Sequence, residues 1–329
     1  MDKVIIFNEC CISNSKYLYI FGIFTKISIK KVECFDCKNN LVEIEYIKCS
    51  SRSDFCIKIL ESILLDNLVT IIINDDIKFN NIKLNIPFKD KLNFLNKSTS
   101  NIISTICKDY NNRLDEWIKY NLKLGFDAII IFDNSGNTKN KINESNGYIE
   151  NMNIVTDKYK DNVLVIKCPY APFENNHWNN IQRITLHIGA TAFRNKVKFI
   201  SFIDPDEFIY IPKNNNIKEF LKNYDETIQM GSNLLTNKKN NDNINNNILS
   251  ICKYIGPDKY TKIFLNTNKC LNYNGGTNDV VFVVSPHDRQ NQIKLNKDVI
   301  IHYHCWVNNR CIYNDSMPYI DDLYKFYIS

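Results

Sequence analysis

Between residues 102 and 206 the chain alternates short apolar runs with segments of helical period, and this alternation restricts the fold more than any other feature. Ile102-Ile103-Ser104-Thr105-Ile106-Cys107 precedes a helix expected over Leu114 to Leu124. Leu114, Trp117, Ile118, Asn121 and Leu122 share one face of that helix, and Gly125 supplies its stop. Ala128-Ile129-Ile130-Ile131-Phe132 has no polar residue, the composition of a strand buried on both faces in a parallel sheet. Val163-Leu164-Val165-Ile166, a helix from about Trp178 to Arg194, and Val197-Lys198-Phe199-Ile200-Ser201-Phe202 continue the pattern. The expected class is α/β with a doubly wound, mostly parallel sheet, in which ligands collect beyond the carboxyl ends of the strands. Asp133 and Asp204 lie at two such ends.

The run ending at Phe202 leads into Ile203-Asp204-Pro205-Asp206-Glu207-Phe208. Two carboxylates one residue apart form a hard-oxygen platform for Mn²⁺ or Mg²⁺ that a phosphate ligand also holds. Pro205 fixes its own φ and has no N–H, so the ladder should stop there and turn both acids toward solvent. Such a pair suits a nucleotide-sugar transferase, whose leaving diphosphate gains negative charge. An isolated D-x-D is common by chance, and a plain polar turn is the competing reading. Glu207 has the opposite strand parity to Asp206 and is expected to anchor a hydrogen bond rather than the cation. Far downstream, His302 and His304 share one face of a strand, with Trp306 beside them. His302 is the expected third metal ligand.

Residues 1–98 read as a small all-β, sandwich-like domain of unknown role. Its strands are Tyr17–Phe24, Ile27–Cys34, Leu41–Ile47 and Val69–Ile73, with one helix near Asp54 to Leu65. Pro87 to Ser100 is the expected boundary, and residues 99–329 form the second domain. Within it, residues 232–248 read as a mobile low-complexity loop, and Lys262–Leu265, Val280–Val284 and Val299–His304 as strands. With 329 residues, 44% of them hydrophobic, the chain can bury a sizeable core. A net charge of +5 without a basic block argues against a nucleic-acid partner. No run is long enough for a membrane span, and an acid arrives too early for a signal peptide, so a cytoplasmic location is expected. The 12 cysteines then read as free thiols. Zinc at Cys34, Cys37, Cys49 and Cys56 is the disfavoured alternative, because Cys34 and Cys37 stand three apart in a strand-like run.

Taken in order, four motifs resemble those of glycosyltransferase family 92 and related transferases with the GT-A fold. Leu114-Asp115-Glu116-Trp117-Ile118-Lys119-Tyr120-Asn121-Leu122-Lys123-Leu124-Gly125 is similar to the family's "L-x-E-W-x-x-Y-H-x-x-L-G-V" helix. Ile131-Phe132-Asp133-Asn134-Ser135 resembles its "Y-D-N-x-S" strand end, and Gln182 with Phe202–Phe208 its "Q…W-x-x-x-I-D-x-D-E-F" signature. Ile301-His302-Tyr303 is similar to its late "H-Y" element. The chain departs at Lys108-Asp109-Tyr110, at Asn121 and at Cys305-Trp306, which bear on donor and acceptor contacts more than on fold.

The resemblance implies transfer of a sugar, galactose by family habit, from a UDP-linked donor to a glycan or glycoprotein hydroxyl. Asp133, Asn134, Gln182, Lys108 and Asp204 would then contact the donor. The general base is open, with Asp258, Asp279, His287 and, by position, Asp288 as candidates. Two alternatives stay open: a catalytically degenerate carbohydrate-binding or scaffold protein with the same fold, and a metal-dependent nucleotidyltransferase or phosphohydrolase.

Overall fold

The computed structural model describes residues 4–14, 16–61, 66–88, 92–107, 112–135, 153–171, 179–237, 247–258, 260–269, 275–283, 285–287, 292–305, 313 and 315–329. Nine strands come first: β1 (Val4–Ile6), β2 (Ile12–Ser13), β3 (Tyr17–Phe24), β4 (Val32–Asp36), β5 (Leu41–Val42), β6 (Ile44–Lys48), β7 (Asp54–Leu60), β8 (Leu68–Ile73) and β9 (Ile77–Lys83). They make two antiparallel sheets, one ordered β1-β3-β7-β6 with β2 on β3, the other β5-β4-β8-β9. Leu18, Ile20, Phe55 and Ile57 of the first meet Cys34, Val69 and Ile71 of the second in a shared core. Gly22 is required by this packing, since a Cβ there would sit 2.2 Å from the Phe55 ring across the ladder.

The helix expected near Asp54 to Leu65 is instead strand β7 over its first seven residues. Lying between β3 and β6, it is buried on both faces, so its near-continuous apolar residues, broken only by Lys58 after Asp54, mark a strand rather than a helix. Cys34 faces one core, Cys49 and Cys56 face another, and Cys37 is exposed, so the four do not converge on a zinc site.

The chain continues through β10 (Asn101–Cys107), α1 (Asn112–Leu124), β11 (Ala128–Asp133), α2 (Asn153–Thr156), β12 (Val163–Lys167), α3 (Asn179–Phe193) and β13 (Phe199–Phe202). These four strands are parallel in the order β12-β11-β10-β13. Helix α1 covers one face, packing Leu114, Trp117 and Ile118 on Ile103, Ile129 and Ile131. Helix α3 covers the other with Ile184 and Ile188 against Ile102, Ile130 and Ile200. From β10 the chain winds outward to β12 and then returns to β13 on the other side of β10. A crevice therefore opens beyond the carboxyl ends of β10 and β13.

The remaining elements are β14 (Glu207–Tyr210), α4 (Ile217–Leu221), β15 (Thr227–Thr236), α5 (Ile248–Ile251), β16 (Tyr254–Asp258), β17 (Lys262–Asn266), β18 (Gln292–Lys294), β19 (Ile301–Cys305) and α6 (Asp322–Ile328). They extend the sheet as β13-β17-β15-β19-β14, with β16 and β18 on β15. Most of these pairings are antiparallel. The sheet is therefore mixed, and the mostly parallel arrangement expected from the alternation holds only as far as β13. Helices α4 and α5 span a single turn or so, too short to cover a parallel crossover, and antiparallel neighbours need none.

Two other expectations are corrected. Ser232–Thr236 is not a loop but the end of β15, buried between β16 and β19, and α5 is buried as well; residues 238–246 lie outside the described residues. Residues 280–283 are buried but join no ladder. Thr191 Oγ1 accepts the Val281 N–H at 3.0 Å and His187 Nδ1 accepts the Val283 N–H at 2.9 Å. Two side chains one turn apart on α3 thus take the place of a neighbouring strand.

Strand β3 is buried on both faces: Tyr19, Phe21 and Ile23 turn away from the second sheet and pack with α3 and Phe282. The layers run sheet, sheet, α3, large sheet, α1. Among the described residues no helix is long and apolar enough to cross a membrane.

Candidate active site

Strand β13 delivers the acidic triplet into a four-residue turn. Asp204 O accepts the Glu207 N–H at 3.0 Å, with Pro205 in the second position that its fixed φ favours. The Glu207 carboxylate closes the same turn from the other side, Oε2 accepting the Asp204 N–H at 2.7 Å. Asp206 O accepts the Cys305 N–H at 2.8 Å, tying the turn to the end of β19. Held this way, the Asp204 and Asp206 side chains stay 34% and 28% accessible.

Glu207 points inward and is saturated. Lys262 Nζ lies 2.9 Å from Oε2, His302 Nε2 3.1 Å from the same oxygen, and His304 Nδ1 3.6 Å from Oε1. Burial alone would raise its pKa, but Lys262 and His302 outweigh that and hold it well below the carboxylate range. Lys262 is itself buried, and its ammonium also stands 3.5 Å from Asp204 Oδ2. Burial disfavours that charge, yet Asp204 and Glu207 outweigh it and raise the lysine pKa.

Gln182 Nε2 donates to Asp204 Oδ1 at 2.9 Å, and burial pushes the Asp204 pKa up against the opposing pull of Lys262. His304 Nε2 lies 3.3 Å from Asp206 Oδ2; burial opposes its protonation, but the Asp206 contact and Glu207 prevail and raise its pKa. His302 shares a 3.0 Å hydrogen bond between Nδ1 and Ser232 Oγ. Its Nε2 is buried against the Glu207 carboxylate.

Helix α1 braces this site through the sheet edge. Strand β14 is outermost, so its carbonyls have no neighbouring strand. Trp117 Nε1–H donates to Glu207 O at 3.0 Å and Tyr120 O–H to Ile209 O at 2.8 Å. Glu116, the residue before Trp117, accepts the N–H groups of Ile248 and Leu249 at 2.7 and 3.1 Å and caps α5. Burial outweighs these two N–H groups and the charge of Arg113 and raises its pKa to about 7.

Helix α3 is fastened from the opposite side. Asp54, fully buried at the head of β7, accepts Arg183 Nε–H at 2.5 Å and Arg183 Nη2–H at 2.6 Å. His187 Nδ1 accepts from Val283, so its Nε2 carries the proton and donates to Asp54 at 2.9 Å. Burial opposes ionisation of Asp54, but Arg183 and His187 hold its pKa at about 2. Arg183 follows Gln182, so this clamp seats the helix turn that touches Asp204.

A small cleft beside Asp204 is lined by Ser104, Thr105, Gln182 and Thr185, at the crevice between β10 and β13. Thr105 Oγ1 there is buried without a partner. Asp133 sits at the same sheet edge, at the end of β11, where Oδ1 accepts the Ser135 N–H at 2.9 Å. Asn134 is buried and serves as a brace: Nδ2 donates to Cys168 O and, at 2.9 Å, to Tyr170 O. Lys108, Asp288 and Trp306 lie outside the described residues.

Of the base candidates, Asp279 pairs with Lys58 of β7 at 2.9 Å. Asp258, its side chain 77% accessible, pairs with Lys297 and accepts Asn233 Nδ2–H at 3.1 Å. His287 is the one next to the acids: it bonds Thr261 O, the residue before Lys262, and feels the charges of Lys262, Glu207 and His302.

Three acids against one lysine leave the turn net negative, and the acid pair offers carboxylate oxygens of the kind Mn²⁺ or Mg²⁺ takes. Among the described residues, no three His, Cys, Asp or Glu side chains already form a group able to hold a metal ion. A cation at Asp204 and Asp206 would therefore need most of its oxygen shell from a ligand.

A sequence model described as glycosyltransferase family 92 matches residues 103–305, a stretch running from β10 through the acidic turn to the last residue of β19. A glycosyltransferase family 92 protein of Oryza sativa subsp. japonica is 25% identical over 167 residues. That alignment covers 51% of this chain and 23% of the rice protein, so the chain spans under a quarter of that relative's length.

Proposed function

The chain belongs to glycosyltransferase family 92, and we propose that it moves a sugar from a nucleoside-diphosphate donor, UDP-linked, to a hydroxyl of a glycan or glycoprotein. The observation that supports this best is the accessible acid pair Asp204 and Asp206, held at the crevice beyond β10 and β13. Asp204 and Asp206 would hold Mn²⁺ or Mg²⁺, and His302, whose Nε2 now lies 3.1 Å from Glu207 Oε2, would have to give up that contact to join them. A cation bound there supplies neutralisation of the diphosphate as its bond to the anomeric carbon breaks.

The chain's own residues set that geometry. Gln182 orients the Asp204 carboxylate, and Glu207 fixes the Asp204 backbone from below. Lys262 compensates Glu207 and leaves the outer pair of acids to face the ligand. Asp133, at the neighbouring strand end, would accept hydrogen bonds from the nucleoside and hold the donor away from the reacting carbon.

A thermal shift tests the reading. UDP with Mn²⁺ should raise the melting temperature, and Asp204→Asn with Asp206→Asn should abolish the rise. No metal-dependent UDP effect in the intact protein would sink it. Screening UDP-sugars for hydrolysis, UDP-galactose first, then names the donor. The Lys262 contact with Asp204 favours a second reading, a nucleotide-sugar-binding protein without turnover, in which the ammonium fills the cation's place. A UDP shift indifferent to Mn²⁺, with no hydrolysis of any donor, would support that reading instead.

A further inference from the structure

Tyr260 is 74% exposed although its neighbour Thr261 leads into the buried Lys262. Its ring stands 5.5 Å from the His287 ring, tilted by 40°. His287 is pinned: its backbone N–H donates to Ser285 Oγ at 3.0 Å, and Nδ1 meets the Thr261 carbonyl. Thr261 is pinned in turn, its Oγ1 accepting Gln229 Nε2–H at 2.8 Å. A carbonyl only accepts, so the proton of the neutral ring sits on Nδ1 and the lone pair on Nε2.

Resting on the transferase reading above, we propose that Tyr260 and His287 form the acceptor side of this site. A sugar ring lies on the Tyr260 face and gives the proton of its attacking hydroxyl to His287 Nε2. An exposed aromatic face beside a fixed polar group is the usual chemistry for holding a pyranose. Burial and the charge of Lys262 hold the His287 pKa at about 4, so the ring is neutral and its lone pair free near neutral pH. In the step, the acceptor O–H bond breaks and its proton goes to Nε2. The hydroxyl oxygen bonds the anomeric carbon, and the carbon–oxygen bond to the diphosphate breaks with its electron pair leaving on the diphosphate.

The test uses the full chain and no identified acceptor. UDP with Mn²⁺ is first checked by thermal shift in the wild type and in His287→Gln. A shift of equal size in both shows the fold and donor side intact. Hydrolysis of the active UDP-sugar, in which water is the acceptor, should then fall by roughly 10²-fold or more in His287→Gln and His287→Ala, the range a general base contributes. Azide attacks without a proton to lose, so glycosyl azide formation should proceed in His287→Ala at the wild-type rate. Tyr260→Ala should raise KM for free monosaccharide acceptors about tenfold, in line with the loss of one stacking face. Wild-type hydrolysis in His287→Gln, or an azide reaction as slow as the water reaction, overturns the proposal. Loss of the nucleotide shift in His287→Gln overturns it too, by placing the ring in the donor side. A wild type with no UDP shift and no hydrolysis removes the transferase reading itself, a different result from any of these.

Discussion

Asp54 and the acidic turn are built from the same kinds of residue, aspartate with a long cation and histidine, yet they end in opposite states. At Asp54 both oxygens are taken by Arg183, His187 adds a third hydrogen bond with a fixed tautomer, and neither Asp54 nor His187 reaches solvent. At the turn, Lys262 and His302 are committed to Glu207, Lys262 only approaches Asp204, and two carboxylates remain accessible. One cluster is complete and holds elements together. The other is incomplete, and on the reading proposed above a cation and a diphosphate would complete it. Completeness, rather than residue type, separates a fastening from a site.

The largest expected effect is the one that isolates the incomplete cluster. Asp204→Asn with Asp206→Asn should remove the Mn²⁺-dependent UDP shift entirely while leaving the urea midpoint at or above wild type, because like charges are relieved. A double variant that unfolds easily would break the comparison. Next is Asp54→Asn, which strands Arg183 in the interior. Urea unfolding should register a loss of about 3–5 kcal/mol. The sign with pH follows from the lowered Asp54 pKa: its stabilisation is present above the ordinary carboxylate value and is lost as pH falls toward 2.

Glu116 sharpens the contrast, being a buried acid with N–H partners and no cation within bonding reach. Its pKa is raised from 4.5 to about 7, so the folded state holds the proton more tightly than the unfolded one. Stability from this group is full below pH 4.5 and falls as pH rises through 7, by an amount on the order of 3 kcal/mol. Glu116→Gln should flatten that slope in denaturant titrations at pH 5 and pH 8. Smallest is Trp117→Phe, which leaves the Glu207 carbonyl without its donor and should cost about 1–2 kcal/mol by the same measurement. Tyr120→Phe, at the next outward carbonyl, should behave likewise.

The parallel half of the large sheet was legible because its strands are buried on both faces, and Ala128–Phe132 has no other way to be satisfied. Asp204, Asp206 and the two histidines were singled out by spacing and strand parity, whereas Gln182 came only with the family resemblance. Lys262 could not, since a lysine opening Lys262-Ile263-Phe264-Leu265 looks like any surface lysine. Its burial follows from carboxylates some 55 residues upstream. Asp54 misled for a related reason: its partners lie on α3, and a doubly buried strand carries no alternation to show its period. Ser232–Thr236 was hidden by its asparagine-rich surroundings, although Leu234 and Leu235 were the apolar clue within it. Residues 280–283 have the composition of a strand, but their N–H groups found hydroxyl and imidazole acceptors on a helix instead.

The double burial of β3 bears on how this molecule comes apart. Residues 103–305 carry the family match, yet they are not a portable piece. Without the first hundred residues, His187 and Phe282 would lose the cover of Phe21, and Arg183 its carboxylate. Heated in a calorimeter, the β-sheets at the start and the crevice-bearing sheet should melt in one event. A shortened version made to match the aligned stretch should be recovered as aggregate.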